Sequence, residues 1–213
     1  MANFDGVARW YRWLEYAAFG RALERCRFAL LPELAEARRV LILGEGDGRF
    51  LQQLLQVNPR AWVDVVEASS QMVKLARERL TGRDRGRVHF HQADARSWNF
   101  PRAEYDAVVT CFFLDCFTPE TLAGLMPRIS ESAAPGASWL LAEFAESPSL
   151  RSRVWLGAMH SFFRATTHLE ARRLGPFADL LSSGGWRRFR QVAGAGGLMN
   201  AELWRECFSQ NGT

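Results

Sequence analysis

The chain has 213 residues, of which 48% are apolar and 23% charged. That is the balance of an ordinary globular protein, and it excludes a disordered tail, a collagen, a coiled coil and a cysteine-framework peptide. The net charge is +4, and Lys74 is the sole lysine, but the arginines are scattered among acids, which favours a compositional bias over a nucleic-acid surface.

At about 150 residues per domain, the length predicts one domain with extensions. Residues 5–31 carry Val7, Trp10, Trp13, Leu14 and Ala17, then Leu23, Cys26, Ala29 and Leu30, at helical spacing. This predicts a helix broken near Gly20 and ended or restarted by Pro32. Val40 to Leu43 is an all-apolar run ending in glycines, the pattern of a strand buried on both faces. Arg49 to Val57 reads as a helix stopped by Asn58 and Pro59. Trp62 to Val66 is a second buried strand, ending at Glu67. Ser69 or Ser70 can cap the next helix, through about Leu80. Val88 to His91 and Tyr105 to Phe113 read as the third and fourth strands. Pro119 suits the first residue of a helix capped by Thr118 and running to about Ser132. Pro135-Gly136 reads as a turn, and Ser138 to Phe144 as a fifth strand. Leu150 to about Arg173 and Phe177 to Ser182 read as helices. The tail alternates around Gly194 to Gly197 as an antiparallel pair.

Strand and helix thus alternate from residue 39 to residue 145. That order predicts an α/β fold with a doubly wound, mostly parallel sheet, joined by right-handed crossovers. Cys26, Cys111, Cys116 and Cys207 form no C-x-x-C pair, which fits a reduced, cytoplasmic setting. The opening residues carry no charged start followed by an apolar run, so no signal peptide is expected. No window reaches 18 uninterrupted apolar residues, so no membrane span is expected.

The most informative stretch is Val40-Leu41-Ile42-Leu43-Gly44-Glu45-Gly46-Asp47-Gly48. Glycines between a buried strand and a helix let a ligand approach the backbone, and the helix offers free N–H groups and a positive dipole end. A dinucleotide fold would show G-x-G-x-x-G; here the third glycine comes one residue early, which disfavours a nicotinamide dehydrogenase. Glu67 follows at the end of the next strand, where a carboxylate can accept two hydrogen bonds from a ribose diol.

From these residues the chain resembles the class I S-adenosylmethionine-dependent methyltransferases, over roughly residues 38–205. The resemblance implies a Rossmann-like, seven-stranded sheet with an antiparallel C-terminal strand and an N-terminal helical lid. It further implies that Gly44, Gly46 and Gly48 cradle the amino-acid part of S-adenosylmethionine and that Glu67 takes the ribose hydroxyls. In Glu67-Ala68-Ser69-Ser70-Gln71-Met72 the methionine is implied to lie against adenine. In Val88 to Ala95 the adenine amino group is implied to be held by Asp94. Ala68, Ala95, Cys111 on the fourth strand and Tyr11 from the lid complete the implied cofactor set. The family usually carries an acid two residues before the first glycine. Here that residue is Ile42, and Glu45 stands inside the loop instead. The D/N-P-P-Y/F pattern of amide and nucleobase targets is replaced by Cys111-Phe112-Phe113-Leu114-Asp115-Cys116-Phe117.

The resemblance divides the single domain into a lid over 1–37, a cofactor-binding core over 38–147, a helical insertion over 148–184 and a closing hairpin over 185–213. The expected acceptor is a small, aromatic or apolar molecule walled by aromatic side chains, with S-adenosylhomocysteine as the other product. Methyl transfer needs alignment above all, and a base only where the acceptor loses a proton. Asp115 and His160 are the candidates for that role, Tyr16 near the lid is a further candidate site residue whose hydroxyl could reach the cofactor carboxylate, and no metal is expected. An RNA or DNA methyltransferase using Arg187, Arg188 and Arg190 is a second reading. A non-catalytic partner subunit of the same fold, kept open by Ile42, is a third. The expected oligomeric state is monomer or homodimer.

Overall fold

The computed structural model describes residues 21–145 and 177–207. In chain order they form α1 (Ala22–Phe28), β1 (Arg39–Leu43), α2 (Arg49–Val57), β2 (Trp62–Glu67), α3 (Ser70–Glu78), β3 (Val88–Gln92) and β4 (Tyr105–Cys111). They continue with α4 (Pro119–Ser132), β5 (Ala133–Phe144), α5 (Phe177–Ser183), β6 (Trp186–Gly194) and β7 (Met199–Glu206). The seven strands form one sheet in the order β3-β2-β1-β4-β5-β7-β6. Strands β1 to β5 run parallel, and β7 lies antiparallel between β5 and β6.

Both faces of the sheet are buried. Val40 and Ile42 of β1 point into a core with Phe50, Leu51 and Leu54 of α2. Leu41 and Leu43 point the other way, into a core with Leu122, Leu125 and Ile129 of α4. A strand covered on both sides has no polar face, which is why β1 reads as a continuous apolar run. The helix starts follow local chemistry. The Ser69 hydroxyl accepts from Met72 N at 3.2 Å, and the Thr118 hydroxyl accepts from Thr121 N at 3.3 Å, each satisfying a donor the helix leaves open. Buried Asn58 ends α2 and donates from Nδ2 to the Leu34 carbonyl at 2.9 Å and the Ala37 carbonyl at 2.6 Å.

Two expectations change. The helix expected to reach residue 31 ends at Phe28, and Pro32 sits in a separate 3₁₀ turn, Leu31–Leu34, where its missing N–H costs nothing. Pro135-Gly136 is not a separate turn before the fifth strand but part of β5. The register slips there, from Tyr105 opposite Ala133 to Ala107 opposite Ser138. Gly136 takes φ +79°, and its N–H is satisfied by Glu206 Oε2 at 3.1 Å, so the irregularity stays within the strand. The expected helix over 150–173 and the first twenty residues lie outside the described residues. No helix among the described residues is long and apolar enough to cross a membrane.

From β1 the chain winds outward through β2 to β3 and then returns to place β4 on the other side of β1. The crevice at the carboxyl ends of β1 and β4 is therefore the switch point, where open α/β sheets bind ligands.

Candidate active site

The loop leaving β1 enters this crevice. The Gly44 N–H donates to the Val66 carbonyl at 3.0 Å, tying the loop to β2. Gly46 takes φ +71°, and a Cβ added there would meet no atom within 4 Å, because the backbone faces the open cleft. Gly48 takes φ +88°, and an added Cβ would lie 2.6 Å from Ala76 Cα. The first position needs glycine for conformation and leaves space for a ligand; the second also needs it for close contact with α3. Asp47 pins the loop, pairing with Arg49 at 2.9 Å and Arg79 at 2.7 Å. Burial opposes the charge on Asp47, but the two guanidinium groups win and hold its carboxyl below the ordinary range.

The predicted cofactor residues converge. Gly44, Glu45, Gly46, Glu67, Ala68 and Met72 line one cleft, together with Asp94, Ala95 and Cys111. Gly48 lies behind the loop, against α3. Glu67 bridges two elements: Oε2 accepts from Gly46 N at 3.1 Å and Oε1 from Ser69 N at 2.9 Å. Met72 is buried on the cleft wall. Asp94 is held by Arg96, with Nε at 3.0 Å and Nη2 at 2.6 Å from Oδ2. That hydrogen bonding keeps the Asp94 carboxyl below its usual range.

Glu45 is the most unusual of these groups. It is 7% exposed. Its Oε1 accepts from Leu51 N at 3.0 Å, capping α2, whereas its Oε2 is buried with no hydrogen-bond partner. Burial pushes its carboxyl up to about 8, against the pull of the Leu51 amide and the Arg27 charge.

Asp115 is placed differently from the cofactor set. It sits in the 3₁₀ turn Leu114–Cys116 after β4 and is absent from the lining of this cleft. Burial pushes its carboxyl up to about 6. Nearby Glu143, at the end of β5, accepts through Oε1 from Phe113 N at 3.1 Å and Leu114 N at 2.8 Å. Its Oε2 is buried without a partner, and burial, then the Asp115 charge, raises its carboxyl well above the ordinary value. Tyr11, Tyr16 and His160 lie outside the described residues.

Phe112, Phe113 and Phe117, the aromatic residues expected to wall the acceptor, line the same cleft, as do Arg27 and Cys116, which sequence reasoning passed over. Arg27 had a signal: it falls four residues after Leu23 and three before Leu30, on the buried face of its helix. Phe112 carries φ +53° although it is not glycine, the kind of outlier that gathers at ligand sites. Glu143 is an acid inside an apolar strand run, as Glu67 is. Of the three arginines considered for nucleic acid, Arg188 pairs with Glu202 and Arg190 with Glu33.

A seven-stranded sheet of this order, with a glycine loop and a strand-end acid at its switch point, is the class I S-adenosylmethionine-dependent methyltransferase fold. Residues 40–136 match a family model described as a methyltransferase domain. The chain is 24% identical over 174 residues to an acetylserotonin O-methyltransferase of Gallus gallus, which covers 82% of this chain and 49% of that protein. It is 30% identical over 120 residues to polyamine aminopropyltransferase 2 of Bacillus cereus, which covers 49% of this chain and 33% of that protein. The chain thus spans half or less of the length of these curated relatives. A magnesium protoporphyrin IX methyltransferase from Synechocystis, solved with S-adenosylhomocysteine bound, superposes with a TM-score of 0.70 at 16% identity, covering 96% of both chains.

Proposed function

We propose that the chain is an enzyme that transfers the methyl group of S-adenosylmethionine to a small-molecule acceptor, releasing S-adenosylhomocysteine. The observation that carries the reading is Glu67, whose carboxylate stands at the switch point bonded to the amide of Gly46. The residues present fit the cofactor: Gly46 leaves the loop open on the cleft side, and the buried Glu45 Oε2 lacks a partner. When bound, the cofactor supplies an activated sulfonium methyl group, so that the protein's main task is alignment.

Each side chain then has a task. Glu67 receives the ribose hydroxyls while retaining its hold on the loop. Met72 packs on one face of the adenine, beside Ala68 and Ala95. Asp94, oriented by Arg96, accepts from the adenine amino group. Cys111 stands where β4 meets the cleft. Burial raises its thiol above the ordinary range, so it is neutral and unreactive as a nucleophile. Phe113 and Phe117, 5.0 Å apart and edge to face, offer an apolar wall suited to a flat acceptor.

Thermal melting with S-adenosylhomocysteine tests the reading. A ligand that binds only the folded state at 100 times its dissociation constant adds about 2.7 kcal/mol. For a chain of this length that raises Tm by roughly 5–10 °C. Glu67→Ala should weaken binding more than tenfold by calorimetry. No thermal shift at millimolar ligand would overturn the assignment.

A further inference from the structure

Building on the reading that the cleft takes S-adenosylmethionine, we propose that Glu45 and Arg27 together recognise the zwitterionic end of that cofactor. The Glu45 carboxylate takes the α-ammonium group, and the Arg27 guanidinium takes the α-carboxylate.

Three observations carry this. First, Glu45 Oε2 is a buried oxygen with no partner, in a side chain that lines the cleft. A buried polar atom left unpaired costs free energy, and an ammonium group would satisfy it while Oε1 stays with Leu51 N. Second, the strand position where an acid is expected is closed. Ile42 is 2% exposed and packs in the apolar core against α2, so a carboxylate there would be buried among hydrocarbon. Moving the acid three residues along carries it from the strand into the loop, on the open side of the sheet edge. Third, Arg27 brings the opposite charge into the same cleft from a different element. It is 7% exposed on α1, beside apolar Leu23 and Cys26. Its guanidinium lies 5.7 Å from the Phe112 ring centroid. Arginine's planar fork suits a carboxylate. A zwitterion adds no net charge to the cleft, and each of its groups meets an opposite charge.

The arrangement predicts proton release. Burial raises the Glu45 carboxyl to about 8, so in the empty cleft it holds a proton at pH 7. The charged groups facing it are Arg27 from α1, Asp47 in the loop and Glu67 from β2. Cys111 from β4 is a neutral thiol. Accepting an ammonium group requires the carboxylate, so binding expels that proton.

Isothermal calorimetry on the full chain tests the proposal with three ligands: S-adenosylhomocysteine, its decarboxylated form, and 5′-methylthioadenosine, which lacks both charged groups. Glu45→Gln keeps the oxygen that caps Leu51, so the helix start survives. It should bind S-adenosylhomocysteine roughly tenfold or more weaker and 5′-methylthioadenosine as the wild type does. Arg27→Gln should lose affinity for S-adenosylhomocysteine but not for the decarboxylated ligand. Proton release at pH 7, read in buffers of different ionisation enthalpy, should vanish in Glu45→Gln. The proposal is overturned if both variants bind S-adenosylhomocysteine as the wild type does, or if they lose affinity equally for all three ligands. If the wild type binds none of the three, the methyltransferase reading falls, and this proposal with it.

Discussion

Replacing Gly48 and Gly46 separately by alanine distinguishes a glycine needed for packing from one needed for a ligand. At Gly48 the new Cβ would lie 2.6 Å from Ala76 Cα and 2.9 Å from Ala76 Cβ, at φ +88°. The left-handed backbone costs an L-residue about 1–2 kcal/mol. Overpacking against a helix backbone adds about 1–3 kcal/mol, since Ala76 has no rotamer that could relieve it and α3 must move. The sum is about 2–5 kcal/mol, a fall in Tm of roughly 4–20 °C. At Gly46 only the backbone cost applies, about 1–2 kcal/mol, because an added Cβ finds nothing within 4 Å. That Cβ instead intrudes on the cleft, so Gly46→Ala should lose affinity for S-adenosylhomocysteine out of proportion to its stability loss. Urea denaturation and calorimetry on both variants measure the two quantities. A Gly48→Ala protein destabilised by no more than Gly46→Ala would refute the packing argument.

Two further outcomes concern buried polar groups. Asn58→Ala removes the donor to the Leu34 and Ala37 carbonyls and should cost about 2–4 kcal/mol, lowering the urea midpoint with the slope unchanged; a loss under about 1 kcal/mol would mean that water replaces the amide freely. Glu45 sets a pH dependence: its carboxyl is raised from 4.5 to about 8 in the folded protein, so the stability tied to its proton is complete below about 4.5 and is lost as pH rises through about 8. Glu45→Gln carries no such proton, and its stability relative to the wild type should climb between those pH values and level off above them. Parallel stability profiles would refute the burial of this acid.

The elements most legible in the sequence are those whose ends are written in local chemistry. The Thr118 cap and Pro119 start α4 at the expected residue, and Asn58 and Pro59 end α2 because neither continues a helix. The mostly parallel sheet followed from the alternation of strand and helix, whereas the strand order is read from the structure. The Pro135-Gly136 irregularity escaped, because the same dipeptide serves a turn or a slip within a strand, and the choice is made by a non-local partner, Glu206. Arg27 and Glu143 escaped for a related reason: a charge on a helix or in a strand declares its type but not whether the fold buries it.

The site shows the same limit more sharply. Glu67 stood out by its place at the end of the second strand, and the family resemblance added Met72 and Asp94 to it as one implied set. Neither signal could settle their competing bonds. Asp94 reaches the cleft already gripped by Arg96, two residues on, so its adenine role depends on the lone pairs that grip leaves unused. Glu45 is the converse case. Its place beside the first glycine was plain, but the direction of its carboxylate is decided by the loop's left-handed turns and by the start of α2. Those turn one oxygen to cap the helix and leave the other buried and unpaired. A sequence can report that an acid has left the strand, but only the fold reports that it arrives with one oxygen unspent, in the same cleft as a buried cation.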